Sequence, residues 1–416
     1  MHDKFLPRRF GWYALKRIPV RRLGSAGIAM MVVAPAVAGS AAMFGANPVL
    51  AAAQAAVRPT LTASDGAAGD GFANSLAISG STAVVGASGK NSLTGAAYVF
   101  TRTGSTWSQQ AELTASDGVA GDYFGYSVAI SGSTVVIGAY GKNSGAGAAY
   151  VFGRSGTTWT QQAELTAADG GAPDFFGVSV GISGSTAIVG AYNKNSHVGA
   201  AEVFVGSGTT WTHQAELTAS DGVSPDFFGF SVAISGSAAV VGTDNAPGGS
   251  YGKSAAYVFV RSVTTWSQQA ELTASDGAAQ DGFGLAVAIS GSTALIGAPG
   301  KNSGVAYAFV RSGTSWSQQA ELIGSDSSLH NFGVSVAISG STAVVGAPLP
   351  FLPQHRGAAY VFVQSGTTWT QLKILSASDG TLHQGFGSPV AISGSAALVG
   401  HFSRTSMIGA VYIFHV

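Results

Sequence analysis

From about residue 60 onward, short runs that alternate large apolar with small or polar residues are broken again and again by Ser-Gly, Asp-Gly or Gly-Lys-Asn segments. A period of two is the mark of β-strands, and no segment of the repeat has helical spacing. One stretch shows the whole cycle. Phe124-Gly125-Tyr126-Ser127-Val128-Ala129-Ile130 puts Phe124, Tyr126, Val128 and Ile130 on one face and small residues on the other, so a neighbouring sheet can approach closely. Ser131-Gly132 supplies a tight turn. The next run, 134–139, is apolar on both faces, as expected of a strand buried between two sheets. After a Gly-Lys-Asn-Ser-Gly loop comes 148–152, a third strand. Trp159, Gln161, Ala163 and Leu165 then alternate with Thr158, Thr160, Gln162 and Glu164 in an outer strand with one wet side.

The cycle occurs seven times. Asp65, Asp117, Asp169, Asp221, Asp276, Asp326 and Asp379 stand at equivalent places, 50–55 residues apart. Seven copies of four strands predict an all-β fold: a seven-bladed β-propeller of four-stranded antiparallel blades. The last copy stops after its third strand, at Val411-Tyr412-Ile413-Phe414, while residues 57–62 match a fourth strand alone. The N-terminal strand is therefore expected to complete the seventh blade and close the ring, with Pro59 on the solvent edge.

Charge and composition add a leader and remove several classes of function. Seven of the 20 Lys and Arg lie in the first 22 residues, followed by an apolar stretch over 27–46 and the small residues Ala51-Ala52-Ala53-Gln54-Ala55. That order reads as a signal peptide over residues 1–55, leaving a propeller at 56–416. The apolar run is also long enough for an uncleaved signal anchor. From residue 56 onward 13 basic residues face 19 acidic ones, which argues against nucleic acid. With no Cys there is neither a disulfide framework nor a thiolate metal site. The expectation is a secreted or cell-surface monomer with no membrane insertion after signal cleavage.

Two short motifs recur in phase with the repeat. Phe-Gly stands at Phe124-Gly125, Phe176-Gly177, Phe228-Gly229, Phe283-Gly284, Phe332-Gly333 and Phe386-Gly387, with Phe72-Ala73 in the first copy. Gly-Ala-Pro stands at Gly297-Ala298-Pro299 and Gly346-Ala347-Pro348, and in part at Gly86-Ala87, Gly138-Ala139 and Gly190-Ala191. Over residues 57–416 the chain resembles the FG-GAP repeats of integrin α-subunit heads and their bacterial relatives. The resemblance implies a propeller that recognises ligands on its loop face. It does not carry over the family's calcium loop. Between the Phe-Gly and Gly-Ala-Pro strands every copy has only a Ser-Gly turn, whereas Ca²⁺ takes about six to eight oxygens. No metal site and no cofactor are expected.

Candidate chemistry is repeated rather than unique. Asp65/Asp70, Asp117/Asp122, Asp169/Asp174, Asp221/Asp226 and Asp276/Asp281 are pairs five apart. They could form cation sites, but read better as turn and cap residues, because catalysis needs two differently tuned carboxylates at one place. Trp107, Trp159, Trp211, Trp266, Trp316 and Trp369 could be sugar platforms, yet share the phase of Leu165 and its counterparts and read as packing between blades. The ligand-binding candidates are the Lys-Asn loops, Lys90-Asn91, Lys142-Asn143, Lys194-Asn195 and Lys301-Asn302, weighed against plain solvated loop residues. The two largest departures from the repeat, 243–254 and 349–356, fall in the same loop. They add Asp244, Asn245 and Tyr251 in one copy, and Phe351, His355 and Arg356 in the other. His197, His355 and His401 are not at metal-ligand spacing, and neither a nucleophile elbow nor a phosphate loop occurs. No catalytic residue is assigned and no enzyme is expected. The reading is a non-catalytic, adhesion-like module for an extracellular protein or cell-surface glycan, the alternative being a lectin with repeated sites between blades.

Overall fold

Each repeat folds as an antiparallel four-stranded meander because its turn residues are spaced for hairpins. In the second blade the strands run from the axis outward as Ser127–Ser131, Thr134–Ala139, Ala148–Ser155 and Thr158–Leu165. The computed structural model describes residues 60–244, 254–326, 331–348, 357–377, 385–401 and 409–416. The leader read at 1–55, and Asn245, Tyr251, Phe351, His355 and Arg356, lie outside them. Seven such sheets form a ring in which each inner strand packs against the inner strands of the blades before and after it. Among the described residues no helix is long and apolar enough to cross a membrane.

The core is divided among the seams. A separate apolar cluster fills each of the seven interfaces between blades; the one between blades one and two joins Val84, Val99 and Leu113 to Phe124, Val128 and Ile137. The last seam is closed as the strand count predicts. Thr60–Leu61 pairs antiparallel with Tyr412 and Val411, so the seventh sheet holds the first and last described strands, and Leu61 is buried in the seam with blade one.

Polar ties reinforce the apolar seams at both ends of the inner strands. In the Ser-Gly turns, Gly132 is left-handed at φ 59, and the register Ser131↔Thr134 makes Gly132 and Ser133 the two central residues. A left-handed first position with glycine in it suits a type II′ hairpin turn. The turn serine then accepts the turn amide of the next blade: Gly132 N–H donates to Ser79 Oγ, Gly184 to Ser131, and so on round to Gly80, which donates to Ser393. Seven such bonds make a closed circuit. At the other end Ser75, Ser127, Ser179 and Ser231 donate to the Phe-Gly carbonyl of the following blade.

Two details differ from the expected alternation. Gly125 adopts φ 86, so the inner strand proper starts at Ser127; Phe124 forms a single bridge to Gly95, and Tyr126 turns away from Val128 and Ile130 into a different cluster. The outer strand carries a β-bulge, in which Phe152 pairs with Gln161 and Val151 with Ala163, skipping Gln162. One extra residue reverses the phase. Trp159 therefore faces the preceding blade and Leu165 the following one, on opposite sides of the sheet. The bulged glutamine has a function in packing: Gln110, Gln214, Gln269 and Gln319 each accept the indole N–H of the next blade's tryptophan. Blade six has Leu372 at that position, and the strand Thr60–Leu61 that completes the next blade has no tryptophan to offer.

One turn is strained. Val263 has φ 58 and is 90% exposed, at the hairpin position where other blades place Gly104, Gly156, Gly208, Gly313 and Gly366. A β-branched residue in that region costs about 1–2 kcal/mol and here gains no burial in return. Val263→Gly is expected to stabilise the protein by about 1 kcal/mol, read as a higher urea midpoint at an unchanged slope.

Candidate functional site

The loop face joins the Lys-Asn loop of each blade to the Asp loop that precedes the same blade. Lys90, Lys142 and Lys194 begin short helical turns whose next two residues are left-handed: Asn91 and Ser92 at φ 50 and 61, Asn143 and Ser144 at 51 and 60, Asn195 and Ser196 at 54 and 57. Asparagine tolerates this conformation better than most residues. The twist leaves the asparagines exposed and turns the lysines inward, so the four lysines are not solvated loop residues.

Each lysine ammonium sits in a cage of acids and phenols. Lys90 is paired with Asp65 and lies 3.8 Å from Glu112, with Tyr98 donating to the same Asp65 at 2.8 Å. Lys142 meets Asp117 at 2.6 Å and the buried Asp122 at 3.5 Å, and Tyr150 donates to Asp117 at 2.9 Å. Lys301 is paired with Asp276 and Tyr307, and Glu321 is 3.3 Å away. Blade three departs from this pattern. Glu202 replaces the tyrosine and His213 the first outer-strand glutamine. Lys194 is then held by Asp169 at 2.5 Å, Glu202 at 2.8 Å and Glu216 at 3.1 Å, with His213 2.7 Å from Glu202. Asp169, Glu202 and Glu216 are close enough together to hold a metal ion, and the tethered ammonium stands among them.

The second Asp of each pair behaves as the turn chemistry predicts. Asp70, Asp122, Asp174, Asp226 and Asp281 each accept the backbone N–H three residues earlier. In four of the five pairs the first Asp does more than shape a turn, since Asp65, Asp117, Asp169 and Asp276 each anchor a lysine.

These contacts set the protonation of the cage. Hydrogen bonds from the local lysine hold Asp65, Asp117, Asp169 and Asp276 below the usual carboxylate range. Burial works against charge on Lys90, but the bonds to Asp65 and Tyr98 outweigh it and raise its pKa. Burial pushes Tyr307 up to about 12 and also raises Glu112, Glu164 and Glu271. The depressed aspartates stabilise the fold fully above their unfolded value of 3.8 and lose that contribution as pH falls through the folded value. The raised glutamates act oppositely, so their protonation as pH falls favours the fold. The lysine contribution is complete below 10.5 and is lost only at higher pH. The expected Tm does not fall between about pH 7 and 5, and drops below about pH 4. Calorimetry across that range checks it; a fall already at about pH 6 contradicts the assignment.

Beside the cages lies a feature that does not repeat. Tyr123, Tyr126, Tyr140, Phe175, Tyr192, Phe227 and Phe230 form one aromatic arc over blades two to four. Tyr123 stacks on Tyr140 at 4.8 Å and Phe175 on Tyr192 at 5.5 Å, while His197 meets Phe227 edge-on at 5.4 Å. Tyr123, Phe175 and Phe227 hold φ 57, 57 and 54, where blades one and five have Gly71 and Gly282 and blade six has Asn331. Asp244, buried at the root of the fourth-blade insertion, lies within electrostatic reach of the Tyr192 hydroxyl, which burial and then the neighbouring Tyr126 and Asp244 push up. Asp244 thus joins the arc. The arc was missed in the sequence, although three aromatics directly before Phe124, Phe176 and Phe228 were visible there.

Seven four-stranded blades, a ring locked by its first and last strands, and a loop face on which one sector differs from the rest define a repeat propeller whose individuality lies in its loops. The FG-GAP repeat model matches residues 58–100, 107–152, 159–204, 211–259, 266–309, 316–362 and 369–414, and the chain belongs to the FG-GAP repeat family. Each matched unit begins with the outer strand of one blade and continues into the next, the same one-strand offset that closes the ring. No curated protein matches the chain.

Proposed function

We propose that this protein is an exported, non-catalytic binding module that captures an extracellular protein or cell-surface ligand through the loop face of blades two to four. The observation that carries the reading is the aromatic arc. Three aromatic residues occupy backbone positions where other blades use glycine or asparagine, at a cost of about 1–3 kcal/mol each. Strain held at one sector of a repeat protein, next to the root of its largest insertion, suits a site specific to this chain. The repeated cages favour an architectural role, since each lysine is satisfied within its own blade. Residues 243–254 and 349–356 extend the same loop face in this reading. Export rests on the basic, apolar and small-residue order of residues 1–55.

The test is retention of labelled protein on intact cells of the producing organism, with and without protease treatment of their surface. Tyr123→Gly with Phe227→Gly restores the residue type that blades one and five use, and both side chains are only half-buried. The pair of substitutions is expected to leave the Tm nearly unchanged and to abolish protease-sensitive retention. Retention equal to that of the unmodified protein would place the surface elsewhere. Signal on a neutral glycan array at several blade positions would favour the lectin.

A further inference from the structure

The opposite face of the disc points to a second ligand class. Every described Asp and Glu, from Asp65 to Asp326 and from Glu112 to Glu321, lies in the Asp loops, the cages, the root of the fourth-blade insertion or the loop-face half of a strand, while the chain's terminal carboxylate at Val416 is on the other face, beside Ser395. Arg102, Arg154, Arg261 and Arg311 lie at the other end, one pair above the outer hairpin turns and directly across from Trp107, Trp159, Trp266 and Trp316. The guanidinium groups of Arg102, Arg154 and Arg261 cover their indole rings at 5.8, 5.5 and 5.7 Å. Two also bond the preceding blade: Arg154 donates to Thr82 Oγ1 at 3.2 Å and Arg261 to Thr186 Oγ1 at 2.9 Å. Among the described residues none of the four has a carboxylate within ion-pair distance, whereas Lys90, Lys142, Lys194 and Lys301 all do.

We propose that this face binds an acidic polysaccharide, with the four Arg–Trp clefts between blades receiving its carboxylate or sulfate groups. A guanidinium has five N–H donors in a planar fork. At Arg154 and Arg261 the indole takes the face and one threonine takes a single donor, so an edge remains for bidentate contact with an oxyanion while the side chain is already held. The Arg–Trp pairs occur in blades one and two and again in blades four and five, blade three carrying Gly206 at that place, so one acidic chain can engage neighbouring pairs at once and weak contacts add. The net acidity of the body does not forbid this. The faces are separated by a strand of six to eight residues at about 3.3 Å each, and charges are screened beyond about 8–10 Å at physiological salt. A bilayer fits less well. The hairpin tips on this face are glycine, serine and threonine, with Val263 the one apolar tip described, and shallow insertion needs an apolar wedge. The proposal concerns the face away from the aromatic arc and stands or falls apart from the loop-face reading.

The experiment uses the purified protein on three immobilised probes: heparin as a sulfated polyuronate, neutral dextran, and vesicles of equal phosphatidylglycerol and phosphatidylcholine. Binding to heparin alone is expected, weakening as salt rises. Replacing all four arginines, R102Q/R154Q/R261Q/R311Q, is expected to lower heparin affinity by at least about tenfold, and their replacement by lysine should recover part of it. A readout independent of variant folding is phenylglyoxal labelling of the unmodified protein, mapped by mass spectrometry, in which heparin should protect these four arginines. Absence of heparin binding at low salt, unchanged affinity in the glutamine variant, labelling unaltered by heparin, or equal binding to the vesicles would each overturn the proposal.

Discussion

A chain that begins at Ala63 is expected to lose about 3–5 kcal/mol of folding free energy and to acquire a tendency to self-associate. Leu61 is 2% exposed and packs with Phe72, Tyr98, Leu398 and Ile413 in the seam between blades seven and one. Deleting a buried leucine side chain alone costs about 2–5 kcal/mol. The truncation also frees the edge of the last strand where it pairs with Thr60 and Leu61, exposing ladder groups that another chain could use. Leu61→Ala in the full-length protein should produce the lower part of that loss with no change in oligomeric state. Urea denaturation with light scattering separates the two effects. A truncated protein as stable as the intact one would mean that the ring does not depend on this strand.

The second large effect is expected at Lys194. Its side chain is 3% exposed, and its ammonium neutralises Glu202, whose side chain is 1% exposed, together with Asp169 and Glu216. Lys194→Met leaves the buried Glu202 carboxylate to His213, and removing one member of a buried pair costs about 3–5 kcal/mol. If the loss comes from the orphaned charge rather than from the shape of the lysine, then Lys194→Met combined with Glu202→Tyr and His213→Gln should recover much of it, because Tyr and Gln are what the second blade carries at those positions. A thermodynamic cycle over the variants measures the coupling. Equal losses with and without the Glu202 change would assign the effect to packing.

The repeat and its closure were legible in the sequence because their causes are local. Ser-Gly and Ser-Asp-Gly turns mark strand ends wherever they occur, and the last copy is one strand short by the same strand that stands alone before Asp65. What escaped were features set by partners far along the chain. Lys90 reads in the sequence as a ligand-binding candidate on an exposed loop, weighed against a plain solvated residue, because its cage comes from Asp65 in the preceding loop and Glu112 on the outer strand. The signal was present as a fixed offset, since Asp65/Lys90, Asp117/Lys142, Asp169/Lys194 and Asp276/Lys301 are each separated by 25 residues. The facing of the tryptophans was misread for a different reason. A bulge leaves no trace in a strictly alternating pattern, and only the recurrence of two adjacent glutamines hinted that one of them sat outside the ladder. At the candidate site, the insertion pointed to Asp244 as a ligand-binding candidate. Tyr123, Phe175 and Phe227 were not, because an aromatic in a strand-rich repeat looks like core until its backbone angle is known.

The shared seventh blade also dictates an order of events during biosynthesis. Thr60 is among the first described residues to leave the ribosome and its partner Tyr412 among the last, so six blades must stand as an open arc while about 350 residues separate the two halves of the lock. Bringing together ends that far apart costs on the order of 5 kcal/mol in chain entropy if the intervening segment is unfolded. Blades that have already stacked shorten the effective loop and remove most of that cost. Local meanders should therefore form first and the lock last. Until then the arc exposes two raw blade faces, both apolar, to the environment in which it folds. The circle can be completed only after the final strand has emerged, when the waiting edge and its distant partner are first both available to pair.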